Sequence, residues 1–203
     1  MLMYSDGKWN DDWNGTAHAV YKRYVNRSDI IGEALSLSND GNILAIGSKH
    51  KNYVKIYQRP QNSNEEWIPI GTKIIGGGIN DFFGDNVSLS SDGMIIAVGA
   101  QKSGTNSGYV KVFKRYQNVN NSWTWEEYGN VLEGTSFESF GAAVSLSNNG
   151  LTVAVGARNT NKNNEDGTYG VYNFSVKIFD IKLITPELKS KIILPFNGDK
   201  ITS

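Results

Sequence analysis

The sequence contains no cysteine, which excludes a disulfide framework, a thiolate metal site and a cysteine nucleophile. Histidine is scarce: His18 and His50 lie in different repeats, and neither has a repeated carboxylate beside it, so a positioned proton-transfer pair is not indicated. An excess of one charge is also lacking. Twenty basic residues balance twenty acidic ones, which removes the sustained positive potential that nucleic-acid binding relies on. No run approaches the ~20 apolar residues that a membrane-spanning helix requires. Residues Met1 to Gly15 offer neither the basic leader nor the apolar stretch of a signal peptide. The expectation is a soluble chain without membrane insertion, with its compartment unknown. Five sequons, at Asn14, Asn26, Asn86, Asn120 and Asn173, would carry glycans only in a secreted protein.

What is present is an ordinary globular composition, 39% hydrophobic and 20% charged over 203 residues, long enough for a buried core. The organisation is repetitive. GEALSLSNDGNILAIGS from Gly32 to Ser48 returns as GDNVSLSSDGMIIAVGA from Gly84 to Ala100 and as GAAVSLSNNGLTVAVGA from Gly141 to Ala157. The offsets are 52 and 57 residues (84 − 32 and 141 − 84), a period typical of stacked sheet repeats.

Within each copy apolar residues alternate, as in Leu35, Leu37 and Ile43, Ala45, or Val87, Leu89, or Val144, Leu146. This period of two predicts half-buried strands over 33–38 and 43–48, 85–90 and 94–100, and 142–147 and 151–157. The runs Asn39-Asp40-Gly41, Ser91-Asp92-Gly93 and Asn148-Asn149-Gly150 supply the glycine that a tight hairpin turn needs at positive φ. A third strand is read at Tyr53 to Tyr57, Tyr109 to Phe113 and Ser175 to Phe179, with outward lysines Lys55, Lys111 and Lys177. Trp67 with Gly71 and Trp125 with Gly129 are taken to anchor a fourth. Four antiparallel strands per ~50-residue repeat is the content of a propeller blade. A helical reading fails because the apolar residues do not recur at three and four. A β-sandwich would need no identity between successive strand quartets.

These residues resemble the FG-GAP propeller repeats of integrin-like heads. The resemblance rests on Phe83-Gly84 and Phe140-Gly141, with Ile31-Gly32 as a weakened first copy, then on Ala97 to Ala100, Ala154 to Ala157 and Gly108 to Phe113, and it covers residues 31 to about 180. It implies an all-β propeller-type array of four-stranded antiparallel blades. Calcium-binding members carry several aspartates in the first turn, whereas this chain has Asp40, Asp92 and none in the third copy, so no metal site and no cofactor is carried over. WD-repeat and kelch propellers are nearby alternatives that leave the functional expectation unchanged.

The expected organisation is a degenerate partial blade or extension over 1–30, blades over 31–80, 81–138 and 139–195, and a tail over 196–203. Ala19 to Tyr24 resembles Lys111 to Tyr116 and reads as a third strand of the degenerate piece, with Met3 to Gly7 as its first turn. The missing fourth strand of the last copy is expected near 187–194. An unclosed array leaves edges and flanks exposed. A fragment of a larger propeller, a ring completed by self-association through open blade edges and a small ring made by pairing the two ends all stand open.

The recurrent serines, Ser36 and Ser38, Ser88 and Ser90, Ser145 and Ser147, occur in every copy and read as architecture rather than nucleophiles. Gly76-Gly77-Gly78 lacks the Lys-Ser or Lys-Thr of a phosphate loop and reads as a flexible connection. The loops between second and third strands vary between copies and share a face with the Phe-Gly connections. Variable loops on a repeated scaffold are where recognition concentrates. The candidate partner-binding residues are therefore Lys49, His50, Asp81, Phe82, Lys102, Arg158, Lys162, Glu165 and Asp166. The expected function is a non-catalytic module that binds a protein or glycan, not an enzyme. A fragment without independent function and a propeller hydrolase or lyase are the alternatives, and the latter finds only Glu33, Asp85 and Ala142 at the inner strand starts.

Overall fold

The computed structural model describes residues 3–5, 8–10, 32–62, 65–78, 80–101, 107–135, 138–160, 172–181 and 192–196. Strands β1 (Met3–Ser5) and β2 (Lys8–Asn10) pair as an antiparallel hairpin. The first large sheet holds β3 (Ala34–Leu37), β4 (Ile43–Ser48) and β5 (Tyr53–Gln58), with β6 (Ile68–Pro69) and β7 (Ile74–Ile75) both on the outer edge of β5. The second holds β8 (Phe83–Leu89), β9 (Ile95–Ala100) and β10 (Tyr109–Gln117), with β11 (Trp123–Glu127) and β12 (Leu132–Glu133) on β10. The third runs β13 (Phe140–Leu146), β14 (Thr152–Thr160), β15 (Tyr172–Asp180), β16 (Ile192–Phe196). The described chain is an all-β array of antiparallel blades, as the period of two requires.

Two details differ from the sequence expectation. The fourth strand is split in the first two blades, because Gly71 and Gly129 sit at φ +69° and +91° and break the strand they were expected to anchor. In the third blade β16 ends at Phe196, beyond the expected 187–194, and 182–191 lie outside the described residues. The strand expected at Ala19 to Tyr24 also lies outside them.

Alternation decides which side chains face which neighbour. Ile43 and Ala45 of β4 and Val54 and Ile56 of β5 meet Val87, Leu89, Ile96, Val98 and Phe113 of the second blade in one buried cluster. Ile95, Ala97, Val110 and Val112 on the other side of that blade meet Leu146, Val153 and Val155 of the third. The core is therefore two interfaces between stacked sheets. Phe83 and Phe140 are fully buried, Phe83 in the first cluster and Phe140 in the second, with edge-on rings at 6.1 Å from Phe113 and Phe179.

The glycine after each phenylalanine takes positive φ, +89° at Gly84 and +88° at Gly141, and opens a bulge in the strand. The bulge thrusts a carbonyl onto the preceding blade. A Cβ added at Gly47 would lie 2.1 Å from the Gly84 oxygen, and one at Gly99 2.3 Å from that of Gly141. The glycine of Ile-Gly-Ser or Val-Gly-Ala is thus a socket for the Phe-Gly of the next blade. Gly76 is also more than a flexible connection, since a Cβ there would meet the Phe83 Cβ at 2.4 Å.

The serines divide into two jobs. Ser36 and Ser88 accept the Leu89 and Leu146 amides of the following blade, both at 2.9 Å. Ser38, Ser90 and Ser147 accept the amide beyond their turn, from Ile43, Ile95 and Thr152, and donate to Asp40, Asp92 and Asn149. The Asp40, Asp92 and Asn149 side chains close each turn by accepting the Asn42, Met94 and Leu151 amides. One turn geometry thus serves two aspartates and an asparagine. The Asn86 amide, inside one sequon, is committed to Ala142 O at 2.7 Å across the blades.

The turns carry an acid sensitivity. The Ser38 hydroxyl and the Asn42 amide and side chain hold Asp40 at about 2. At Asp92 burial works against ionisation, but the Ser90 hydroxyl and Met94 amide hold it below its ordinary value. The Asp40 contribution is present above pH 3.8 and is lost as pH falls through about 2. The double variant Asp40→Asn, Asp92→Asn is expected to lose less melting temperature than the parent between pH 4 and pH 2, because Asn149 already closes the third turn without a charge. Thermal melts followed by circular dichroism over that range give the comparison; equal losses would mean the carboxylates do not carry the effect.

Candidate functional site

On one face of the array the described residues that follow β4 and β9 meet the connections into the first strands. Lys49 and His50 lie on a 3-10 turn, Lys49–Lys51, that directly follows β4. Lys49 Nζ reaches Asp85 at 3.1 Å on the next blade and Glu33 at 3.5 Å on its own. The Asp85 hydrogen bond, against a smaller effect of burial, raises the Lys49 ammonium above its ordinary value. Gln101 donates to the other Asp85 oxygen. His50 Nε2 lies 3.5 Å from Glu33, and its ring meets Phe82 edge-on at 6.0 Å. Three candidates and two partners therefore converge: Lys49, His50 and Phe82, with Glu33 and Asp85 between them.

Asp81 sits apart from this group in kind. It is 3% exposed and its carboxylate is taken up by the Gly78 and Phe83 amides, at 2.9 and 3.2 Å, and by the Tyr109 hydroxyl at 2.5 Å. Burial, together with Asp81, pushes the Tyr109 phenol up. Glu138 holds the equivalent place before the third blade: it accepts from the Thr135 amide at 2.6 Å and pairs with Lys177 at 2.6 Å. Lys177 is therefore turned to the blade junction rather than outward. Both acids pin the connection that carries Phe-Gly.

Arg158 is exposed near the end of β14, in the repeat position that Lys49 and Gln101 hold in the other blades. Lys102, Lys162, Glu165 and Asp166 lie outside the described residues. The signal for Glu33, Asp85 and Gln101 was positional: 33 and 85 are equivalent repeat positions, as are 49, 101 and 158. Their value appears only when the blades are stacked, because Lys49 pairs across a blade boundary.

The opposite face has a cavity of about 510 Å³ lined by Asp40, Asn42, Arg59, Asp92 and Arg115 among others. Both of its carboxylates are committed to their turns, and the Arg115 guanidinium lies 4.3 Å over the Trp123 ring. Trp125 packs against the first cluster and donates to Ile70 O at 3.2 Å, a blade-packing role. Among the described residues no three His, Asp or Glu side chains converge on a point that could hold a metal ion. Among them, too, no helix is long and apolar enough to cross a membrane.

No family model matches the chain, and no curated protein does. Solved structures similar to it include hydrazine synthase of Kuenenia stuttgartiensis, at 18% identity and TM-score 0.44, covering 73% of this chain and 34% of that one. The Cps50 (Swd1) β-propeller domain of Myceliophteria thermophila is similar at 14% identity and TM-score 0.47, over 85% of this chain and 45% of that one. A functionally unknown protein of Desulfotomaculum acetoxidans DSM 771 is similar at 16% identity and TM-score 0.40, over 83% and 58%. The chain spans between about a third and three fifths of the length of these structures. The chain's own sheets define its class, an all-β array of stacked antiparallel blades.

Proposed function

We propose that the chain is a non-catalytic propeller module of FG-GAP type that binds a protein or glycan partner through the face bearing Lys49, His50 and Phe82. The observation that supports this most is a division of labour. The hydroxyls and turn carboxylates that could suggest chemistry are used for stacking and turn closure in the first two blades, and Ser147 with Asn149 closes the turn of the third. Side chains that differ from blade to blade meet on one face, Lys49 and Gln101 on Asp85 and Phe82 beside His50, and Arg158 stands at the repeat position of Lys49 and Gln101. A rigid scaffold with variable positions on one side is how repeat proteins present a binding surface. The FG-GAP assignment draws on the use of Phe83-Gly84 and Phe140-Gly141 as the pieces that key one blade into the last.

The test is binding of the purified chain to an immobilised glycan array and to a displayed peptide library, in parallel with His50→Ala, Phe82→Ala and, on the opposite face, Gln61→Ala. Binding of one class that drops at least tenfold in the first two variants and survives in Gln61→Ala is the expected result, since partner-binding energy concentrates in few residues. Binding lost only in Gln61→Ala would move the site to the other face. Turnover of a glycan by the wild-type chain would replace the module with an enzyme.

A further inference from the structure

Each blade junction inside the chain is built from the same parts, and among the described residues those parts recur without a partner at the two ends of the array. At the downstream end Gly156 occupies the place of Gly47 and Gly99, yet the nearest atom to its added Cβ is Ala143 Cβ of its own sheet at 3.1 Å, with no carbonyl keyed into it. At the upstream end Gly32 holds φ +93°, close to the +89° and +88° of Gly84 and Gly141, but an added Cβ there meets nothing within 4 Å. One end has the empty socket and the other the unused plug.

Other features agree. Leu35 and Leu37 are 60% and 54% exposed, while their counterparts Val87 and Leu89 are 9% and 7% exposed beneath the first blade. The Ser36 and Ser88 hydroxyls each accept an amide of the next blade; Ser145, in the same position, is exposed and makes no such bond among the described residues. Asn39 N donates to Ser91 O and Ser91 N to Asn148 O, which leaves Asn148 N as the next donor and Asn39 O as the next acceptor in the series. The charges match too. Lys49 pairs with Asp85 across the first junction, and the open ends present Arg158 at the lysine position and Glu33 at the aspartate position.

We propose that a second copy of this chain docks head to tail, its first blade seated on the open face of the third. Gly32 then keys into Gly156, Leu35 and Leu37 are covered, the Leu37 amide reaches Ser145, and Arg158 faces Glu33. Such a contact is heterologous, and it closes into a ring when the rotation per blade permits. Two copies would contribute six large sheets, within the four to eight blades that propellers use. Docking is independent of the partner on the loop face, apart from Arg158, which it places at the junction.

The test is mass by light scattering and sedimentation across a dilution series. The wild-type chain is expected to associate, and Gly156→Ala to abolish association while keeping its circular dichroism, because in the single copy the new Cβ meets only Ala143, its methyl at 3.1 Å and no backbone atom nearer than 3.7 Å. Gly77→Ala, where a Cβ meets nothing within 4 Å, should associate as wild type. Glu33→Arg and Arg158→Glu should each weaken association about tenfold or more through like-charge contact, and an equimolar mixture of the two should restore it. Only head-to-tail docking pairs the reversed charges in the mixture, so this arm decides even if Gly156→Ala fails to fold. A wild-type chain that is monomeric at every concentration overturns the proposal. So does an oligomer that persists in Gly156→Ala, or a mixture that behaves as its components.

Discussion

Phe140→Ala is expected to lower the unfolding free energy by about 3–5 kcal/mol, the range for emptying a fully buried aromatic site. Phe140 has no exposed surface, faces Phe179 edge-on and sits against Gly134, where a Cβ would lie 2.4 Å from the phenylalanine Cβ. The site cannot collapse easily, because its walls are the backbones of two different blades. The junction between second and third blades depends on it, so the variant should melt in two steps, with the third blade leaving first. Chemical denaturation followed by tryptophan emission and by far-ultraviolet circular dichroism separates the steps, since all five tryptophans precede the third sheet. A loss under about 1 kcal/mol would show that the ring does not carry the junction.

Gly99→Ala is expected to cost about 3 kcal/mol, the upper part of the range for overpacking. The added methyl would lie 2.3 Å from the Gly141 carbonyl oxygen, a backbone atom that no rotamer change can move aside. Relief requires the second and third sheets to part. Gly77→Ala serves as the control, because nothing lies within 4 Å of its added Cβ and its loss should be near zero. Urea unfolding of the two variants beside the parent checks the difference; equal stabilities would mean that the junction is looser than the stacked blades require.

Both effects could be placed in the sequence without being understood there. The alternation of Leu35, Leu37 or Val87, Leu89 shows strands and their buried sides, because a period of two is a property of one chain segment. The repeat shows that three such units exist. That Ser36 and Ser88 hold the next blade's amide while Ser38, Ser90 and Ser147 close a turn is invisible in the sequence, since both kinds alternate along the same strand. Asp81 and Phe82 are neighbours that the sequence treats alike. The structure buries one beneath Tyr109 and leaves the other half-exposed beside His50. The Lys49 to Asp85 pair spans 36 residues and two sheets, so no spacing rule within a repeat points to it. The split of the fourth strand is hidden in the sequence for a local reason: glycine at a fixed distance from tryptophan marks equally well an anchor or a break, and positive φ at Gly71 and Gly129 decides for the break.

Stacking of successive blades in register is the claim on which the rest stands, and the amides of Leu89, Ser91 and Leu146 report it most directly. Each lies off the ladders of its own sheet and donates to the neighbouring blade, to Ser36 Oγ, Asn148 O and Ser88 Oγ. Hydrogen exchange resolved by nuclear magnetic resonance should show all three protected to a degree comparable with ladder amides of β9, and Ser36→Ala should release Leu89 while leaving Leu146 protected. Exchange of the three amides at the rate of open loops in the wild-type chain would contradict the stacked array.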